Sequence, residues 1–187
     1  MKRPIRHIVH MLLPLFAIAV LGSCHTSKKS DPAYYQSQID RLGKGKGNDN
    51  DRNVTSSVKL SKVRKKIVEE ACTWLGTPYR YSHAEKGVAT DCSGMVLQVY
   101  ETVAGIKLPR NSAQQSDFCI NIRKKDVKIG DLVFFATGKD RDRISHVGIM
   151  LDDSSFIHAS ASKGVVISDI NQPYYERTFK GFGRVPD

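Results

Sequence analysis

The sequence predicts an α+β domain in which helices come first and pack on an antiparallel sheet. Two observations carry this. In the first half of the domain the apolar residues recur at helical spacing, and after Gly130 their period changes to that of strands.

The first element opens near Val58. Leu60, Val63, Ile67, Ala71 and Trp74 recur at helical spacing, with lysines, Arg64 and two glutamates between them, and Gly76 and Pro78 stop the helix. Residues 79–91 read as a loop. A second helix runs from about Cys92 to Ala104, with Val96, Val99, Tyr100 and Val103 on one face, and Gly105 ends it. Asn111 or Ser112 caps a short third helix. Gly130-Asp131 is a tight turn, and Leu132 to Ala136 is a buried strand. Residues 144–151 alternate and 155–160 form another short strand. Residues 165–167 and 181–185 complete a set of five.

The residues ahead of this domain have a different composition. Lys2, Arg3 and Arg6 precede an apolar stretch from Ile8 to Leu21, which is short for a membrane span and long enough for the core of an export signal. Leu21-Gly22-Ser23-Cys24 resembles the lipobox of bacterial lipoproteins. That resemblance implies removal of residues 1–23 and a lipid on Cys24. An ordinary export signal, or an uncleaved anchor with an incidental cysteine, is the alternative. Residues 24–57 are polar, and their centre from Gly43 to Asn53 lacks any hydrophobic side chain. Such a stretch reads as a flexible tether with an end-to-end distance of about 30 Å. The domain then spans residues 58–187.

Loss of the signal takes three basic side chains with it, and the formal charge falls from +10 to +7. A basic exported protein is drawn to anionic headgroups or carboxylate-rich wall polymers, and export removes it from nucleic acid. Of the other cysteines, Cys72 lies in a helical apolar pattern and reads as a buried structural thiol. Cys119 has no partner motif. Export permits a Cys72–Cys119 disulfide, but spacing does not establish one. There is no Cys-x-x-Cys or His-Glu-x-x-His, so neither metal nor cofactor is expected.

The chemistry concentrates at Asp91-Cys92-Ser93-Gly94, at the mouth of the second helix. A helix N-terminus favours a thiolate, and an imidazole within reach can take its proton and return it to a leaving amine. This points to a cysteine hydrolase or acyltransferase. His146 shares a strand face with Ile144, Gly148 and Met150, and His158 shares one with Phe156. A hairpin closing through a three- or five-residue loop centred on Asp152 would make the two histidines direct cross-strand neighbours, with Cβ atoms about 5 Å apart. Spacing alone favours two unrelated histidines on a half-exposed sheet face.

Six segments in order resemble the NlpC/P60 family of bacterial cell-wall peptidases, which have a papain-like core. They are Gly76-Thr77-Pro78-Tyr79, Asp91-Cys92-Ser93-Gly94, Leu108-Pro109-Arg110 with Gln115, Gly130-Asp131-Leu132-Val133-Phe134-Phe135, His146-Val147-Gly148-Ile149, and Phe156-Ile157-His158-Ala159-Ser160. The run from His158 through Gly164-Val165-Val166-Ile167 to Pro173-Tyr174-Tyr175 is also similar to the Spr-type lipoprotein endopeptidases.

The resemblance implies Cys92 as nucleophile, His146 as general base and then acid, and His158 as the third polar residue that orients His146. It implies Tyr79 as a donor to the oxyanion beside the Cys92 backbone N–H. Asp91 is a helix cap that some relatives also use to bind the free amine of a stem peptide. Ser93 is a second binding residue or simply a favourable first-turn residue. For Arg110 a structural salt bridge and a substrate contact are both open. Trp74 reads as core, and Tyr174 and Tyr175 as surface packing, with the flank of a groove as the alternative. The chain departs from the pattern at Ser82-His83, where relatives often carry Gly-Gly.

The implied activity is hydrolysis of amides in peptidoglycan stem peptides, with the D,D cross-link favoured. The γ-D-glutamyl–diamino acid bond is the alternative. A non-catalytic wall-binding lipoprotein and an acyltransferase are the rivals from other classes. Cys24-His25-Thr26 has no Asp at the second mature position, so the usual sorting rule implies lipid anchoring in the outer membrane, facing the periplasm.

Overall fold

The structure, a computed structural model, describes residues 52–186, with side chains from residue 61 onward. The export signal (1–23), Cys24 and the tether as far as residue 51 lie outside the described residues. Helix α1 (Arg52–Cys72) turns Ile67, Val68 and Ala71 into the core, as helical spacing of apolar positions requires. It begins at Arg52 rather than Val58, so the last residues read as tether are helical. A hairpin of two short strands, β1 (Ala84–Glu85) and β2 (Ala89–Thr90), lies within the stretch read as a loop.

Helix α2 (Cys92–Ala104) starts where the Asp91 carboxylate accepts the Gly94 N–H, and stops where Gly105 turns left-handed at φ 69°. Helix α3 (Ser112–Phe118) is capped by Asn111, whose side chain accepts the Gln114 N–H. Strands β3 (Ile120–Ile122), β4 (Leu132–Phe135), β5 (His146–Met150), β6 (Ser155–Ser160) and β7 (Gly164–Asp169) follow. Helix α4 (Pro173–Thr178), with proline in its first turn, leads into β8 (Phe179–Arg184).

The strands join in the order β3-β8-β4-β5-β6-β7, and every neighbouring pair is antiparallel. The sheet has six strands rather than five. The additional one, β3, is an edge strand whose Ile120 and Asn121 are exposed, so it carries no buried alternation to read.

Both faces of the sheet are covered. Leu132, Phe134, Val147, Ile149, Ile157 and Ala159 share a core with α1 and α2. Val133, Phe135, Met150, Phe156 and Phe182 form a second apolar layer, against which Tyr175 of α4 packs. Burial on both sides explains why β4 reads as an unbroken apolar run.

The turn before β4 ties the layers together. The fully buried Asp131 carboxylate accepts from Arg64 Nη1 at 2.7 Å and from Arg184 Nε at 2.9 Å and Nη2 at 2.7 Å. The Tyr100 hydroxyl donates to the Gly130 carbonyl next door. Cys72, Cys92 and Cys119 are all free thiols, so the disulfide that export would permit is not formed. Among the described residues no helix is long and apolar enough to cross a membrane.

Candidate active site

Cys92 is the first residue of α2, which packs on the face of β5 that carries Val147 and Ile149. Of the amides at the helix mouth, those of Gly94 and Met95 are satisfied by the Asp91 carboxylate and carbonyl. The amides of Cys92 and Ser93 are left pointing out of the helix end. Gly94 is required by close approach, since a Cβ there would sit 2.5 Å from the His83 carbonyl oxygen. The loop before the helix therefore lies directly across its first turn.

The thiol is buried, and burial pushes its pKa up to about 11. The backbone N–H groups of Val147, Ser93 and Cys92 favour the thiolate, whereas the Asp91 charge opposes it. Burial wins over the helix terminus, so the resting group is a thiol. The Val147 contribution also locates the sulfur beside the residue that follows His146.

His146 Nε2 lies 2.8 Å from His158 Nδ1, with the rings edge to face at a centroid distance of 4.9 Å. The two are not direct cross-strand partners. Ile149 pairs with Ile157 and Met150 with Phe156, so the hairpin is centred on Asp153 rather than Asp152. Asp152 sets this loop by accepting the Ser154 and Ser155 N–H groups with its carboxylate. Continuing the register places Gly148 opposite His158, and His146 reaches it diagonally. A Cβ on Gly148 would meet the Phe156 ring at 2.6 Å and the His158 Cβ at 3.2 Å, so glycine opens the space in which the imidazoles meet.

The pair rests on an aromatic bed. Phe156 stacks on His158 at 4.8 Å, and Phe135 lies 6.1 Å from His146. Burial lowers the His146 pKa to about 4. It lowers that of His158 well below the ordinary value, helped by repulsion from His146 when that ring is protonated and from the Lys163 charge. Both imidazoles are therefore neutral at neutral pH. His146 Nδ1 makes no hydrogen bond among the described residues, which leaves it as the nitrogen for an incoming proton.

The remaining predicted residues separate into two groups. Tyr79 is at the site: burial first, then the charge that Cys92 carries as a thiolate, raises its pKa. Asp91 and Ser93 are consumed by structure. Asp91 Oδ1 accepts from the Gly94 N–H, the Ser93 hydroxyl and Arg110 Nη1, and Oδ2 from the Ser82 N–H and Arg110 Nη2 at 2.6 Å. Arg110 is thus a salt-bridge residue, and it also reaches Ser93 Oγ at 3.1 Å. Burial would raise the Asp91 pKa, but the hydrogen bonds from Arg110, Gly94 and Ser82 and the Arg110 charge hold it below the ordinary value. Trp74 is core, with Nε1 donating to Glu70. Cys24 lies outside the described residues.

Two residues at the site were not predicted. His158 Nε2 lies 3.0 Å from Ser168 Oγ and 3.1 Å from the Tyr175 hydroxyl. Ser168 is an even number of residues from His158 across the β6–β7 hairpin, a parity that puts both on one face. Tyr175 read as surface packing because the short helix that swings it over the sheet had no periodic signal. Among the described residues no cluster of His, Cys, Asp or Glu fits a metal ion.

Residues 76–184 match the NlpC/P60 family. The chain is 30% identical to the murein DD-endopeptidase MepS/murein LD-carboxypeptidase of Escherichia coli, over 98% of this chain and 96% of that protein. It is 42% identical to the probable endopeptidase NlpC of the same organism, over 57% of this chain and 68% of that one. Among solved structures, an NlpC/P60 family protein from Bacillus cereus superposes with a TM-score of 0.59 at 31% identity, covering 65% of this chain and 40% of its own.

Proposed function

The chain belongs to the NlpC/P60 family, and from that premise we propose that it is a cysteine endopeptidase hydrolysing amide bonds in the peptide part of peptidoglycan. The observation that carries this reading is the 2.8 Å His146–His158 bond, which leaves His146 Nδ1 open, on the strand whose Val147 amide acts on the Cys92 sulfur.

Catalysis starts from a neutral thiol and a neutral imidazole. The Cys92 sulfur attacks the scissile carbonyl carbon while its proton passes to His146 Nδ1. The Cys92 backbone N–H and the Tyr79 hydroxyl donate to the oxyanion that forms. The tetrahedral centre collapses, the C–N bond breaks, and the amine leaves with the proton from His146. Water, deprotonated by His146, then attacks the thioester and restores the thiol. His158 is the positioning residue that keeps the Nε2–H of His146 engaged.

Two features support the D,D cross-link as the bond cut. The full-length relative is named a DD-endopeptidase. The Asp91 carboxylate already accepts five hydrogen bonds, so an amine of a shorter stem peptide would have to displace Arg110. The lipobox-like Leu21-Gly22-Ser23-Cys24 and the polar tether support a lipid-anchored enzyme in the outer membrane, held within reach of the wall.

Mass spectrometry of peptidoglycan digested with the purified protein and with its Cys92→Ala variant tests the proposal. The active protein releases cross-link fragments and the variant releases none. Equal release by both, or none by either, rejects hydrolysis. Fragments cut between glutamate and the diamino acid move the assignment to that bond.

A further inference from the structure

On the reading that Cys92 and His146 carry the chemistry, we propose that Ser168 and Tyr175 are positioning residues that set the tautomer of His158, and so keep the Nδ1 lone pair of His146 free for the thiol proton. His158 is fully buried and both of its ring nitrogens are occupied. A neutral imidazole has one proton to place, and two arrangements satisfy the contacts.

In the first, His158 carries its proton on Nε2 and donates it to Ser168 Oγ and the Tyr175 oxygen. Its Nδ1 then accepts the Nε2–H of His146, and His146 Nδ1 is a base. In the second, the Tyr175 hydroxyl donates to His158 Nε2. The proton of His158 then sits on Nδ1 and points at His146 Nε2, and the His146 proton moves to Nδ1, where it blocks transfer from the thiol.

The geometry points to the first. Ser168 Oγ, 3.4 Å from the Tyr175 hydroxyl, gives that proton an acceptor other than His158, which frees the tyrosine oxygen to accept from Nε2 at 3.1 Å. Ser168 lies across from Phe156 in β7, and Tyr175 crosses Phe156 edge-on at 4.9 Å. Both hydroxyls are therefore held by the same aromatic bed that holds the imidazoles. The third member of the site is in this way tuned from α4 and β7, elements that carry none of the reacting groups.

Nitrogen NMR of the full-length protein with ring-labelled histidine tests this at neutral pH without substrate. The expected spectrum has both His146 and His158 protonated on Nε2. The Ser168→Ala/Tyr175→Phe double variant moves a measurable fraction of both rings to the Nδ1-protonated form. Its kcat for peptide release falls about tenfold or more, within the range of general-base catalysis, at unchanged KM. Tyr175→Phe alone keeps the ring packing, and Ser168→Thr, which retains a hydroxyl, keeps the native ring pattern. A wild-type His158 protonated on Nδ1, or a double variant with unshifted ring nitrogens, overturns the proposal. Peptide release by Cys92→Ala would instead end the hydrolase reading, and the ring pattern would still report on the tautomer.

Discussion

His146 and His158 share a 2.8 Å hydrogen bond although each stands diagonal to the other in the β5–β6 ladder. Diagonal neighbours are separated by about 7–8 Å at the backbone, and only long or aromatic side chains bridge that gap. The position across from His158 is Gly148, so no side chain competes for the space.

Gly148→Ala therefore damages both fold and site. Its Cβ would fall 2.6 Å from the Phe156 ring and 2.9 Å from the Ile157 carbonyl oxygen, and backbone cannot yield as a side-chain tip does. A loss of about 1–3 kcal/mol in unfolding free energy is expected, with peptide release reduced along with it. Gly138→Ala is the control, because a Cβ there meets its nearest atom at 3.5 Å. Equal urea midpoints for the two variants would contradict this account.

The neutral histidines make stability fall in mild acid. An unfolded histidine titrates near 6.5, whereas burial lowers His146 to about 4 and His158 well below its ordinary value. Between those limits the unfolded chain binds protons that the native state does not, so stability rises with pH. It is fully present above about 6.5 and is lost as pH falls through the window, by at most about 1.4 kcal/mol per pH unit for each histidine. Denaturation midpoints measured from mild acid to neutrality should show this slope, and His146→Gln should lessen it. A flat profile over that range would refute the burial argument.

A thiol pushed up to about 11 and an imidazole lowered to about 4 start the reaction as neutral groups, not as a thiolate–imidazolium. Alkylation of Cys92 by iodoacetamide, followed by peptide mass spectrometry, should accelerate about tenfold per pH unit from neutrality towards the thiol pKa. A rate that is already level at neutral pH would show a preformed ion pair and require a different first step.

What the sequence made legible followed periodicity and capping. Helix α2 was placed from Cys92 to Ala104 because an Asp cap, an apolar stripe and a terminal glycine agree there. The five strands that contribute to the core are readable from runs and alternation. The edge strand β3 was not, because an exposed strand buries no face. The helix α4 was too short to show a period, and that concealed Tyr175. The even spacing of the two histidines put them on one face. The register depended on which carboxylate organised the loop, and Asp152 binding the Ser154 and Ser155 amides moves the centre by one residue. Burial of Asp91 by Arg110 was invisible because their pairing spans 19 positions of chain.

At Ser82 the departure from Gly-Gly has a backbone counterpart. Ser82 adopts φ 63°, the left-handed region, while its N–H donates to Asp91 Oδ2 at 2.8 Å. Ser82→Gly removes a strain of about 1–2 kcal/mol and restores part of it as unfolded-chain entropy, so a gain below about 1 kcal/mol is expected. Ser82→Val should destabilise, because a β-branched side chain fits the left-handed region less well than serine does, and should loosen the loop over the α2 N-terminus. Thermal unfolding of both variants checks the order, and a glycine variant less stable than the valine variant would negate it.

Arg110→Met tests whether the Asp91 pair is structural. Asp91 is buried, and the arginine is the partner that offsets the cost of its charge, although the Arg110 side chain is itself 43% exposed. Solvent screening at the arginine trims the loss to about 1–2 kcal/mol. Without Arg110, burial is less opposed and the Asp91 pKa rises from its lowered native position. A carboxylate with a lowered native pKa contributes stability above its unfolded pKa and loses it as pH falls through the native value. The deficit of Arg110→Met should thus be largest at neutral pH and shrink in acid. In a double-mutant cycle with Asp91→Asn, the coupling should vanish over the same acid range. A deficit that is independent of pH would mean that Arg110 acts through packing of its aliphatic stem and not through the carboxylate.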